Sequence, residues 1–246
     1  MAKTQLVRTS MRIFVGASFL IGLSMGLVNV VHAVPLSLNS VTGMWTSVAG
    51  GPSSINGLGT DTVLWGIPAT SGGQQAGLSF DGSAPPPAGI STGTPFSLGT
   101  LSHLNFPTSG NAATGASLVI GLSISNGTTV TPSFTFNFAI QETINSSPCP
   151  SFQVSTTPCD DRITFPAAFP SETFVIDGIQ LTLELLGFQI SGTTIGQFVT
   201  QEGRINSSIL VAQITTPPGQ VPEPATLALL GLGLAGLGFT RRRKLS

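Results

Sequence analysis

Phe134-Thr135-Phe136-Asn137-Phe138-Ala139-Ile140 alternates a large apolar side chain with a small or polar one. Successive side chains of an extended chain point to opposite faces. The stretch therefore sets a phenylalanine ridge on one face and Thr135, Asn137 and Ala139 on the other. That period marks a half-buried β-strand. Ile179, Leu181, Leu183 and Leu185 repeat the pattern against Gln180, Thr182 and Glu184. Leu118–Ser125, Asp61–Ile67, Thr173–Ile176 and Ile205–Ile214 are further candidate strands, with Gly-, Pro- and Ser-rich turns between them. No long helical periodicity interrupts residues 34–214. Many short strands in one stretch predict a single all-β domain, an antiparallel β-sandwich of jelly-roll-like type.

The charges are segregated. Lys3, Arg8 and Arg12 stand at one end of the 246-residue chain and Arg241, Arg242, Arg243 and Lys244 at the other. Between residues 34 and 220, two arginines face nine carboxylates, a net charge of −7, and there is no lysine. Nothing there neutralises phosphates, which excludes nucleic acid as a partner. Solubility must rest on hydroxyls and amides, as suits an exported β-rich protein.

Residues 1–33 read as a secretory signal peptide: a basic beginning, an apolar run from Ile13 to Val31, and Val31-His32-Ala33 as a small-residue cleavage site for signal peptidase. The other end carries Gly231-Leu-Gly-Leu-Ala-Gly236, which matches the glycine spacing of a dinucleotide loop. Such a loop must open a βαβ unit and be followed about 20 residues later by an acidic residue. Only ten residues follow Gly236, none acidic. The glycines belong instead to the apolar run Ala225–Phe239, a transmembrane helix of about 22 Å that arginine snorkelling can extend. Val221-Pro222-Glu223-Pro224 precedes it after the linker 215–220, and the basic cluster Arg241–Lys244 that follows stays cytoplasmic. The fold expected for the whole chain is thus a sandwich flanked by an N-terminal signal helix and a C-terminal transmembrane helix.

Residues 221–246, with their Pro-Glu-Pro element, short apolar helix and basic tail in that order, resemble the PEP-CTERM sorting signal of exopolysaccharide-producing bacteria. The resemblance implies that an exosortase reads Val221, Pro222, Glu223 and Pro224 and cuts nearby. Glu223 would then be recognised by another enzyme rather than act as a catalytic group.

Further landmarks lie upstream: Trp45, then Val63-Leu64-Trp65-Gly66, then Ser102-His103-Leu104-Asn105-Phe106-Pro107, then Cys159-Asp160-Asp161-Arg162-Ile163. Their order resembles the THxN family of PEP-CTERM proteins, with Ser102 in place of the threonine. That family carries no established activity, so the resemblance implies a destination and no reaction.

His103 is the only histidine beyond residue 33. Ser102 cannot pair with it as nucleophile and base, because neighbours in a strand face opposite ways. The local reading is structural: the imidazole and the Asn105 amide bond backbone where a strand ends before Pro107. Cys149 and Cys159, an even pair in an exported chain, read as a disulfide. One histidine and two cysteines make no zinc pattern. Asp160, Asp161 and Asp177 are the candidate oxygen ligands for Ca²⁺, the one cofactor the residues suggest.

The chain is therefore expected to be exported and not an enzyme. Its first stop would be the inner membrane, as a substrate of signal peptidase and exosortase. From there it would pass to the envelope, the surface or the extracellular polysaccharide matrix as a structural or adhesive component. Carbohydrate binding through Trp45 and Trp65 is the rival reading, and exposed tryptophans would favour it. A secreted hydrolase built on His103 is the third.

Overall fold

The computed structural model describes residues 34–84, 86, 89–156, 159–165 and 171–217. Among the described residues sixteen strands follow in chain order. They are β1 (Pro35–Ala49), β2 (Thr62–Trp65), β3 (Ile67–Pro68), β4 (Ala76–Gly82), β5 (Ile90–Ser91), β6 (Phe96–Asn105), β7 (Thr108–Ser109) and β8 (Gly115–Asn126). Then come β9 (Thr128–Val130), β10 (Ser133–Gln141), β11 (Asp161–Thr164), β12 (Ser171–Ile176), β13 (Ile179–Ile190), β14 (Thr193–Ile195), β15 (Gln197–Thr200) and β16 (Arg204–Thr215). No helix occurs among the described residues. The expected signal helix, transmembrane helix and Pro-Glu-Pro element lie outside them.

Among the described residues the strands form two large antiparallel sheets and a small two-stranded one, β3 with β7. One large sheet has the order β15-β11-β10-β8-β1-β5, with β9 on β8; the other has the order β12-β13-β16-β6-β4-β2, with β14 on β13. The alternating stretch Phe134–Ile140 lies in β10, and its side chains take the two faces that the sequence period predicts. Phe134, Phe136, Phe138 and Ile140 are buried, while Thr135 and Asn137 are exposed. Leu118, Ile120, Leu122 and Ile124 of β8 lie on the same inner face. Leu181, Leu183 and Leu185 of β13 and Leu210, Ala212 and Ile214 of β16 meet them from the other sheet. In the middle, Phe188 stacks on Phe165 at 5.1 Å and tilts against Phe138 and Phe198 at 6.3 and 5.8 Å. These packed rings add to the area they bury.

The connectivity corrects the expected jelly-roll order. β2, β4 and β6 are successive neighbours in one sheet, and β8, β10 and β11 in the other. Runs of adjacent antiparallel strands are meanders, not the paired Greek keys of a jelly roll. In β1, the inward side chains step from Leu38 to Val41 across a register shift between Leu38 and Ser40, a bulge that re-aims the strand. β1 also meets the second sheet at one corner, where a Cβ on Gly82 of β4 would lie 2.1 Å from the Val41 carbonyl oxygen. Only glycine permits that approach.

Strand registers define two poles. Val34 and Ile214 both bond the turn at Thr92–Gly93, the latter through Gly93 N–H to the Ile214 carbonyl at 2.7 Å. β1 therefore begins and β16 ends at one pole. The opposite pole holds Trp65, Asn105, Gln141, Asp161 and Arg204, through the pairs Trp65–Ala76, Asn105–Arg204 and Gln141–Arg162.

Candidate functional site

His103 and Asn105 project inward from β6, and Thr200 projects inward from the edge strand β15 of the other sheet. All three are essentially fully buried. His103 Nδ1 lies 2.8 Å from Thr200 Oγ1, and Asn105 Nδ2 donates to the Thr200 carbonyl at 3.1 Å. The motif is thus a polar clasp between the two sheets. Trp65 stacks on the imidazole at 6.4 Å, and its indole N–H donates to Glu142 Oε1 at 2.5 Å. Burial pushes the His103 pKa down to about 3, so the ring is neutral at ordinary pH. Its Nε2 has no hydrogen-bond partner among the described residues.

Beside the clasp lies a cavity of about 40 Å³, lined in part by Asn105, Glu142, Thr143, Asn145, Asp161 and Glu202. That volume holds a few water molecules at most. Pockets that take a drug-sized ligand measure about 300–1,000 Å³. Burial pushes the Asp161 carboxyl up to about 7, and the nearby Glu202 and Glu142 charges add to the rise. The Thr143 N–H, donating to Asp161 Oδ1 at 2.7 Å, opposes it. Burial raises Glu142 and Glu202 as well, against hydrogen bonds from Trp65 and Asn145 respectively. Glu202 Oε1 is buried without a partner among the described residues.

His103 and Asn105 stand out in the sequence as a motif, whereas Thr200, Glu142 and Glu202 do not. Strand parity carried the missing signal. Phe138, Ile140 and Glu142 continue one inward series, and Phe198, Thr200 and Glu202 another.

The other candidate residues are dispersed. Ser102 turns outward and bonds Ser207 Oγ at 2.8 Å, away from His103. Phe106 and Pro107 continue the motif past the end of β6 and line the cavity. Trp45 and Trp65 are both buried, and Trp45 Nε1 donates to the Asp61 carbonyl at 3.0 Å. Neither indole is open to stack on a sugar. Cys149 and Cys159 form the expected disulfide.

The calcium trio is not assembled. Asp160 is buried and accepts the Val154 and Ser155 N–H groups at 2.7 and 2.8 Å, closing the disulfide loop on itself. Asp161 faces Thr143 instead. Asp177 accepts the Thr128 hydroxyl at the β12–β13 turn, on the pole opposite Asp161. Among the described residues, no group of three His, Cys, Asp or Glu side chains is placed to hold a metal ion.

No curated protein matches the chain. Residues 220–244 match the PEP-CTERM protein-sorting motif. The sandwich is therefore carried on a chain whose C-terminal segment is a sorting signal of the kind exosortases recognise, and that signal marks it for export and membrane-linked processing towards the envelope or surface.

Proposed function

We propose that the protein is a non-catalytic structural or adhesive component of the cell envelope or exopolysaccharide matrix, delivered there by an exosortase. The sorting motif at residues 220–244 carries the delivery half of this reading. Val221–Pro224 form the recognised element, and Arg241–Lys244 the cytoplasmic stop that cleavage leaves behind. Signal peptidase removes residues 1–33 at the other end.

The structural half is supported by where the chemistry-bearing side chains are used. His103, Asn105, Thr200 and Trp65 are turned inward and tie the sheets together, and the cavity beside them is water-sized. The burial of both tryptophans counts against carbohydrate stacking and favours the structural role. Resemblance of residues 40–190 to the THxN proteins adds a family with no assigned reaction.

Mass spectrometry of the protein from wild-type cells and from cells lacking the exosortase tests the delivery. The expected mature species begins at Val34 and lacks the Arg241–Lys244 tail only when the exosortase is present. A wild-type extracellular species that retains the tail overturns it. His103→Ala in the intact organism tests the second half: loss of a secreted hydrolytic activity with the protein still folded overturns the structural reading.

A further inference from the structure

The two ends of the sandwich leave from one pole. Val34 N donates to Thr92 Oγ1 at 3.0 Å, and the adjacent Gly93 N–H bonds the Ile214 carbonyl at 2.7 Å. Thr215 closes β16 at this pole, opposite Arg204. Twelve residues of extended chain separate the two poles by about 36 Å.

From Thr215 the chain has nine residues before the apolar run begins at Ala225, and only seven of them lie beyond Pro217, the last described residue. The eight Cα-to-Cα steps from Pro217 to Ala225 span at most about 28 Å when fully extended. That is shorter than the strand, so the tether cannot bring the carboxylate pole against a membrane that holds the tail while the Thr215 pole faces away. Nor does charge lay the molecule on its side. Strands β1, β8 and β10 contain no charged residue, and their outward positions are mostly Ser, Thr, Asn and Gly. Of the domain's two arginines, Arg162 pairs in register with Gln141 and Arg204 with Asn105, both at the far pole. Asp177 lies at the tethered pole, and no arginine does.

From this geometry we propose that the tail-bearing precursor stands end-on at the bilayer surface. Its Val34–Thr215 pole faces the lipid headgroups, and the pole with the Glu142–Asp161–Glu202 cavity and the disulfide loop is displayed outermost. The partner is the lipid bilayer itself. The linker, not electrostatic attraction, sets the orientation, so added salt leaves it unchanged. This inference rests on the anchoring reading of residues 221–246.

The test uses tail-bearing protein purified from cells lacking the exosortase and reconstituted into vesicles of mixed zwitterionic and anionic lipid. A donor dye is placed at Thr94→Cys, exposed beside the tethered pole, or at Ser71→Cys, exposed at the far pole; the acceptor is a labelled headgroup lipid. With about 36 Å between the poles, energy transfer from position 94 should exceed that from position 71 by roughly threefold or more. The ratio should not change with salt. Protein that floats with the vesicles but transfers equally from both positions, or more from position 71, overturns the orientation and leaves the anchor intact. Protein that does not float overturns the anchor, and the orientation with it.

Discussion

His103 of β6 and Thr200 of β15 meet 2.8 Å apart across the two sheets, ninety-seven residues apart in sequence and both fully buried. Thr200→Val would keep the shape and remove the hydroxyl, leaving His103 Nδ1 unpaired in the core. An orphaned buried polar group costs about 1–3 kcal/mol. For a domain of this size, that corresponds to a fall in Tm of roughly 2–12 °C. Thr200→Ser keeps the hydroxyl and should melt closer to the wild type. Equal melting of Thr200→Val and wild type would show that the clasp contributes nothing to stability.

The cavity makes stability depend on pH in two opposed ways. The Asp161 carboxyl titrates near 7 in the fold and near 3.8 when unfolded. Between those values the folded state binds the extra proton, so this contribution is lost as pH rises from about 4 to about 7. His103 behaves oppositely: it titrates near 3 in the fold and near 6.5 unfolded, so stability falls as pH drops through that window. Asp161→Asn keeps an acceptor for Thr143 N–H and removes the Asp161 share of the first limb, to which the raised Glu142 and Glu202 carboxyls also contribute. At pH 8 it should be more stable than wild type by on the order of 1–3 kcal/mol, and between about pH 4 and 7 its stability should fall less with rising pH than that of wild type. Denaturant melts across pH check both, and an unchanged profile in Asp161→Asn would sink the assignment.

Legibility in the sequence followed side-chain period. β8, β10 and the first half of β13 alternate cleanly because one face is solvated and the other meets the opposing sheet, so their apolar residues announce both strand and face. β16 breaks the period at Leu210–Ala212, across a register shift. β11 and β15 have only four residues each, too few for a period to stand out. β1 was hidden by its bulge, which breaks alternation between Leu38 and Val41. Sheet order was not legible, since meanders and Greek keys share the same strand pattern. The cavity escaped because Glu142, Asp161 and Glu202 come from separate strand ends, and only tertiary pairing brings them together. Asp160 and Asp161 misled as a calcium pair because adjacency in the chain does not mean a shared partner. One carboxylate caps a loop and the other enters the cavity.

The disulfide should stabilise the cavity as well as the loop. The Thr143 hydroxyl donates to the Cys159 carbonyl at 2.8 Å while its N–H holds Asp161, so the bridge fixes the backbone that packs over the carboxylates. Replacing both Cys149 and Cys159 by Ser should cost roughly 3 kcal/mol by the chain-entropy estimate for so short a loop. It should also admit water to Asp161 and lower its pKa towards the ordinary carboxylate range. Carbonyl-region infrared or carboxyl NMR titration reads the second effect. A full loss of stability with the Asp161 titration unmoved would separate the loop from the cavity and refute the coupling.

Gly82 sits where β4 passes over β1, the corner at which the two sheets touch. A Cβ there would lie 2.1 Å from the Val41 carbonyl oxygen, and the obstacle is backbone, which cannot rotate aside as a side chain can. Gly82→Ala must therefore push β4 from β1. On the far side of β4, Gly99 of β6 is equally tight, 2.4 Å from the Asp81 carbonyl oxygen by the same measure, so the strand has little room to retreat. Overpacking of this kind costs about 1–3 kcal/mol. Asp81→Ala, a neighbouring exposed position, should change stability by less than about 0.5 kcal/mol. Side-by-side thermal melts decide the point. If Gly82→Ala proves as benign as Asp81→Ala, the corner is loose and the sheets are joined through their core alone.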